Sequence, residues 1–271
     1  MPLVINYTRY PTNSVFLHFC NQDNMNEKDL MIYGRQPVLD AIEAGKTVDK
    51  LLLQQGTRGD FEKEIRQLGR EHGIPVQVVP KERLNKLVRG NHQGIIGFLS
   101  LVAYYRLEDV LPGIFENGQT PLILLLDGIT DVRNFGAIAR SAEIAGAQTI
   151  VTSLKGSAQI NADAMKTSAG ALAKIPVCRE TSIMAAVELL QASGVCVFAS
   201  DLQASKMVFE MDFRQPTAVI VGSEGEGVNP ALLRQADELF IIPQVGTTDS
   251  FNVSVATGII LYETMRQRAG R

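Results

Sequence analysis

Three polar segments, each following an apolar run, hold the residue types that chemistry needs. The first runs Asp127-Gly-Ile-Thr-Asp-Val-Arg-Asn134-Phe-Gly136-Ala-Ile-Ala-Arg140. Asn134 suits a helix N-cap, Gly136 lets another backbone approach the first turn, and Arg140 lies nearly two turns further along. The second runs Val219-Ile-Val-Gly222-Ser-Glu224-Gly-Glu226-Gly227-Val-Asn-Pro230, a glycine-rich turn with two carboxylates. Alternate residues of extended backbone point opposite ways, so a shared acid–base dyad of Glu224 and Glu226 needs a bent turn. The third runs Ile241-Ile242-Pro243-Gln-Val-Gly-Thr-Thr-Asp-Ser250-Phe251-Asn252-Val-Ser254. It places Ser250, Asn252 and Ser254 at a helix start, where free backbone N–H groups suit an anion. Each segment also suits a blander role: a capped helix, a tight turn with solvated acids, or another capped helix.

The elements that must position these residues are short. Leu122 to Leu126, Ile150–Val151, Val195 to Ala199, Ala218 to Val221 and Leu239 to Ile242 are continuous apolar runs. Such runs suit parallel strands covered on both faces. Helical stretches lie between them near 135–146, 162–172, 182–193 and 229–236, and a last one covers 252–268. The alternation predicts a doubly wound α/β domain over 121–271, in which ligands bind beyond the carboxyl ends of strands. The glycine turn is not G-x-G-x-x-G, because Pro230 stands at the third glycine position. Gly45-Lys46-Thr47 is not a phosphate loop, because Asp40 stands where the earlier glycine is required.

Upstream, residues 31–103 read as a small α/β unit. Helices are expected at Gln36 to Glu43, Asp60 to His72 with Asp60 as N-cap, and Lys81 to Arg89; strands are expected at Val48 to Leu53, Val76 to Val79 and Ile95 to Ala103. Residues 104–120, with Pro112, Gly113, Asn117 and Gly118, read as a linker. Residues 1–30 read as an irregular extension, and Met25 is expected to serve as an alternative start.

Jointly, N-x-G-x-x-x-R, G-S-E-G-E-G-V and I-P-x-x-G-x-x-x-S-x-N-V-S, in this order after strands, closely resemble the three motifs of the SpoU/TrmH family. These are RNA ribose 2′-O-methyltransferases that use S-adenosylmethionine. Ile32-Tyr-Gly-Arg35-Gln-Pro-Val-Leu-Asp-Ala-Ile42 and His92-Gln-Gly-Ile95 look like the substrate domain of the bacterial 23S rRNA guanosine 2′-O-methyltransferases, whose fold resembles ribosomal protein L30e. The resemblance implies a C-terminal parallel-sheet α/β knot domain (SPOUT, trefoil-knotted) behind a small L30e-like domain. It also implies a homodimer, with motif one of one subunit near the cofactor of the other. It puts cofactor contacts at Gly222, Ile242 and Phe251, where leucine is common at the last, and a catalytic role on Arg140 with Asn134, Glu224, Ser250 and Asn252. A free guanidinium keeps its proton far above neutral pH, so Arg140 is expected to hold phosphate and polarise the hydroxyl rather than act as a base. Arg35, Lys81, Arg83, Lys86, Arg89 and His92 are the candidates for gripping RNA. The expected substrate is a guanosine in the peptidyl-transferase-centre loop of 23S rRNA. The alternatives are a tRNA D-loop ribose, or an RNA-binding assembly factor with a silent cofactor site, against which the intact motif residues argue.

Composition sets the outer limits. The chain has 271 residues, 45% hydrophobic and 20% charged, ordinary for a globular protein. Three cysteines and three histidines show no metal-ligand spacing, so no metal is expected, and Cys178 and Cys196 read as buried apolar residues. No apolar run approaches a membrane span, and Val15 to Cys20 lacks the flanks of a signal peptide, so a reducing cytoplasmic setting is expected. The net charge of −3 is uneven: residues 31–105 carry 11 basic against 8 acidic side chains, residues 106–271 carry 13 against 18. That asymmetry suits a polyanion-handling module beside a separate catalytic one.

Overall fold

The structure is a computed structural model describing residues 30–270; the readings of an irregular extension and of Met25 lie almost wholly outside the described residues. The chain builds two sheets. The first comprises β1 (Met31–Tyr33), β2 (Val48–Gln54), β3 (Val76–Val79) and β4 (Ile95–Leu99), in the order β1-β4-β2-β3. β4 runs antiparallel to both β1 and β2, while β2 and β3 are parallel. Helices α1 (Arg35–Glu43), α2 (Asp60–Glu71) and α3 (Lys81–Leu87) cover it. Successive strand residues face opposite ways, so β2 feeds two cores. Leu51 joins Val38, Ile42 and Ile65 under α1 and α2, while Leu52 joins Val79 and Leu84 under α3.

The second sheet has eight strands, all paired in parallel, in the order β10-β12-β9-β11-β6-β7-β8-β5. They are β5 (Tyr104–Tyr105), β6 (Leu122–Asp127), β7 (Thr149–Ser153), β8 (Val177–Glu180), β9 (Cys196–Ser200), β10 (Lys206–Met207), β11 (Thr217–Gly222) and β12 (Glu238–Ile241). Leu122, Leu124 and Leu126 of β6 face the core under α5 (Val132–Ala145), α6 (Ala162–Thr167) and α9 (Val253–Ala269). Ile123 and Leu125 face the other core, under α4 (Leu107–Glu116), α7 (Ile183–Ala192) and α8 (Pro230–Gln235). Burial on both faces is why these strands read as unbroken apolar runs. Each such side chain contributes about 1.5–3 kcal/mol. Strand order reverses between β6 and β11, whose ends lie level at Asp127 and Gly222. That is the switch point where sheets of this kind place ligands.

Several local expectations are corrected. The segment 104–120 does not behave as a linker: it carries β5 and α4. Pro112 lies inside α4, yet Leu107, Val110, Leu111 and Ile114, at helical spacing, are all buried. The helix at 81 ends at Leu87, because Val88 is extended. The strand expected over 95–103 ends at Leu99, and the helix expected over 162–172 breaks after Thr167 into a short 3₁₀ turn at Ala171–Ala173. Asp60 is the first residue of α2 and Gly59 the cap. β1, β5, β8 and β10, two to four residues long, escaped the sequence reading.

The sheets are joined by a buried polar contact. Asp49, on β2, accepts hydrogen bonds from Arg179 Nη2 (2.6 Å), Tyr104 Oη (2.7 Å) and Gln159 Nε2 (2.7 Å). Arg179 Nη1 also donates to the Asp49 carbonyl (3.0 Å), and its guanidinium stacks 3.4 Å from the Tyr104 ring centroid. Burial, helped by the Asp49 charge, pushes the Tyr104 hydroxyl pKa far up, so it stays a donor.

Candidate active site

The site forms where the three polar segments leave the sheet. Asp131, not Asn134, caps α5, its carboxylate accepting from the N–H groups of Arg133 (2.9 Å) and Asn134 (2.8 Å). Sequence reading missed this because both residue types cap helices; Asp131 lies one step before the first helical residue. The Asn134 side chain is thereby free to reach the second segment, where its Nδ2 donates to Glu224 Oε1 (3.1 Å). From the third segment, Asn252 Nδ2 donates to Asn134 Oδ1 (3.1 Å) and to Glu224 Oε1. Asn252 Oδ1 caps α9 by accepting from Ser254 N (3.0 Å) and Ser254 Oγ (2.5 Å). One oxygen of Glu224 thus takes two amide donors, and residues up to 118 positions apart are locked together.

The loops that present this cluster are tightly folded. A Cβ on Gly222 would lie 2.0 Å from the Gly227 carbonyl carbon, so only glycine permits the return of the loop. Gly227 N–H donates to Ser223 O (3.0 Å) and closes the turn. Asp127, at the end of β6, accepts from Asn229 N–H (2.8 Å) and pins the far side of that loop. Gly136 admits α6, as expected from its place in the first segment: a Cβ there would lie 2.7 Å from the Ala164 carbonyl oxygen. The turn is bent as a Glu224–Glu226 dyad would require, but among the described residues no hydrogen bond joins Glu226 to the cluster.

Among the described residues Arg140, Ser250, Ile242 and Phe251 make no side-chain hydrogen bond to this cluster. Arg140 is exposed and makes no hydrogen bond or ion pair among the described residues. Six helical positions from Asn134 place it about 120° round α5 and roughly 9 Å along it, off the face that meets Glu224. Ser250 is exposed in the loop 243–250. Ile242 is buried beside the end of β12, and Phe251 is 40% exposed.

The candidate RNA residues of the smaller sheet also divide. Arg35 and Lys81 line one cleft with Arg58, which sequence reading missed; Arg83, Lys86 and Arg89 do not line it. His92 also lines that cleft; it is largely buried, with Nε2 bonded to Asn85 Oδ1 (2.9 Å) and Nδ1 accepting from Gly94 N–H (3.0 Å), which fixes the loop there. Burial pushes the Cys178 thiol up to about 12 and, as the main cause, the Cys196 thiol to about 11, so neither serves as a nucleophile at neutral pH. Among the described residues no cluster of His, Cys, Asp or Glu could hold a metal, and no helix is long and apolar enough to cross a membrane.

Comparisons with known proteins agree with this architecture. The profile of the SpoU rRNA Methylase family matches residues 121–262, and that of the RNA 2′-O ribose methyltransferase substrate-binding domain matches residues 31–105. A putative TrmH family tRNA/rRNA methyltransferase, YacO of Bacillus subtilis, is 30% identical over 90% of this chain and 98% of its own. The 23S rRNA (guanosine-2′-O-)-methyltransferase RlmB of Yersinia pestis is 36% identical over 72% of this chain and 80% of its own. Among solved structures, the AdoMet-bound rRNA methyltransferase of Sinorhizobium meliloti superposes with a TM-score of 0.56 at 27% identity, covering 88% of this chain and 87% of that one. With two successive family matches spanning both sheets, and one residue from each motif joined at the switch point, the chain belongs to the SpoU rRNA methylase family.

Proposed function

We propose that this protein methylates the 2′-hydroxyl of a guanosine ribose in 23S rRNA, with S-adenosylmethionine as the methyl donor. The observation that carries the reading is the Asn134–Glu224–Asn252 cluster at the β6/β11 switch point. RlmB-type relatives at 36–37% identity support the choice of RNA and nucleotide. The donor's fit rests on the site itself. The backbone of 243–250 is open, Phe251 offers apolar surface after it, Ile242 is buried just before it, and Gly222 keeps the second loop folded on itself. Ile242, Phe251 and the backbone from Gly222 onward would hold the donor, which supplies an electrophilic methyl group on a sulfonium.

The chain's own residues then need to align and deprotonate the ribose hydroxyl. Alignment alone can supply several kcal/mol of the barrier. Asn134 and Asn252 hold one oxygen of Glu224 and leave the other without a hydrogen bond among the described residues, and Ser250 adds a hydroxyl just before the start of α9. Arg140, exposed and without a hydrogen-bond or ion-pair partner among the described residues, would hold the RNA phosphate and polarise the hydroxyl. It shares a face of α5 with Ile144, 66% exposed, and α9 presents Val255, Tyr262 and Met265 at 50%, 68% and 40% exposure. Such a surface favours a homodimer in which Arg140 serves the partner's site. Arg140→Lys retaining full turnover would refute a need for the planar guanidinium fork.

The test is methyl transfer from labelled S-adenosylmethionine to separate pools of 23S rRNA, 16S rRNA and tRNA, with nuclease mapping of the labelled ribose. Label on one guanosine of 23S rRNA is expected. Label in tRNA alone would favour the second reading, a tRNA ribose, which the description of YacO as a tRNA/rRNA methyltransferase keeps in view. Cofactor binding with no label in any pool would overturn both.

A further inference from the structure

The cleft on the smaller sheet has features beyond a generally basic surface. It encloses about 580 Å³ between the start of α1, the turn after β2, the start of α3 and the loop leading into β4. Arg35, Arg58 and Lys81 enter it from three of these elements, and among the described residues no carboxylate lines it. Among the described residues none of these three cations forms an ion pair, whereas Lys63, Arg66, Arg106 and Arg179 all do. Converging cations left without partners repel one another, and a bound anion relieves that repulsion.

Between the cations the walls are carboxamides, including Gln54, Asn85 and Gln93. Each carries both a donor pair and an acceptor, the complement of a base edge. The walls are fixed in advance. Asn85 is tied to His92, and Gln93 Oε1 accepts from Arg35 N–H (2.9 Å) while Gln93 itself sits at φ 50°. Arg35 is steadied over the Phe61 ring at 4.2 Å from its centroid. At the rim, Tyr33 is 42% exposed and lies against Gly90, which lines the cleft. An exposed aromatic ring beside a cationic, amide-lined cleft is the combination that captures unstacked bases.

We propose that this cleft binds one unpaired RNA nucleotide, distinct from the nucleotide that is methylated: its phosphates on Arg58, Lys81 and Arg35, its base against the amides and the Tyr33 ring. The cleft and the Asn134–Glu224–Asn252 cluster share no residue and stand on different sheets, so one RNA would engage both at separate nucleotides. The substrate would then need an exposed single-stranded position at a fixed separation from the target ribose. This rests on the proposed RNA methyl transfer, which it extends to the choice of substrate.

The experiment uses the full chain and its Arg58→Glu/Lys81→Glu and Tyr33→Leu variants. Binding of five-nucleotide single-stranded RNAs and of a duplex of the same length is measured by fluorescence anisotropy over a salt series. In parallel, methyl transfer to 23S rRNA is measured with varied RNA. The double variant is expected to bind the single strands at least about 10-fold more weakly, and its log–log salt slope to fall by about 1.4, two phosphate contacts at roughly 0.7 each. Its KM for rRNA should rise with kcat at saturating RNA within about 2-fold. Tyr33→Leu should weaken single-strand binding by about 5-fold or more, the size of a lost stacking contact, with the salt slope unchanged. Unchanged binding by both variants, or duplex bound as well as single strands, overturns the cleft. If wild type methylates no rRNA yet binds single strands through Arg58 and Lys81, the proposed function fails and the cleft stands. If rRNA is methylated with an unchanged KM in the double variant, the reverse holds.

Discussion

The two sheets handle polar groups in opposite ways. At the carboxyl ends of β6, β11 and β12, Asn134, Glu224 and Asn252 satisfy one another, and Asp127 and Asp131 are spent on backbone N–H groups. In the cleft of the smaller sheet, Arg35, Arg58 and Lys81 have no carboxylate partner among the described residues. A reaction centre needs few atoms held to within a fraction of an ångström, and mutual hydrogen bonding supplies that. A surface for a long polyanion needs charge still available to the ligand, because phosphate contacts carry most of the affinity. The molecule therefore separates rigid geometry from unspent charge, and places a buried Asp49–Arg179 contact between the two.

That contact is where the comparison should break most severely. Asp49→Ala leaves Arg179, Tyr104 and Gln159 without their shared acceptor. A loss of about 3–5 kcal/mol is expected, read by chemical denaturation. A change under about 1 kcal/mol would mean that the two sheets do not depend on this contact. Next comes Glu224→Ala, which removes the acceptor of two amides. Methyl transfer should fall at least about 100-fold, the scale for losing a preorganised polar group, with the circular dichroism spectrum unchanged.

A smaller effect sharpens the contrast from within the large sheet. The Cys178 thiol ionises near 9 when unfolded and near 12 when folded, chiefly because it is buried. A raised folded pKa means that the unfolded chain loses its proton first, so stability should fall as pH rises from about 9 toward about 12. Cys178→Ala should flatten that part of the stability profile; an unaltered slope would place the thiol in contact with water. The smallest effect is expected at Arg83, on α3 but outside the cleft. Arg83→Ala should raise the KM for rRNA by less than about 2-fold. A change as large as that of the Arg58→Glu/Lys81→Glu variant would erase the distinction between cleft and surface.

How much of this was legible in the sequence depended on the range of the signal. Leu122 to Leu126 and Ala218 to Val221 announced central strands because parallel strands covered on both faces leave no alternation to misread. The three polar segments were legible as family motifs because each carries its signal within about fourteen residues. Asp131 and Asn134 could not be ranked as caps, since the choice depends on Glu224, ninety residues away. The helix at 107–116 was hidden by Pro112-Gly113, although Leu107, Val110, Leu111 and Ile114 held the apolar spacing. Asp49 and Arg179 are 130 residues apart and carry no local mark at all. Arg58 sat in a Gly56-Thr57-Arg58-Gly59 turn that reads as a connection; only the folded sheet brings it beside Lys81.

The division of labour itself is tested most directly by measuring kcat and the KM for 23S rRNA side by side in Glu224→Ala and in Arg58→Glu/Lys81→Glu. The account predicts a split: Glu224→Ala lowers kcat with little change in KM, and the double variant raises KM with little change in kcat. Both variants altering the same parameter to the same extent would contradict it, and would make the two sheets one continuous site.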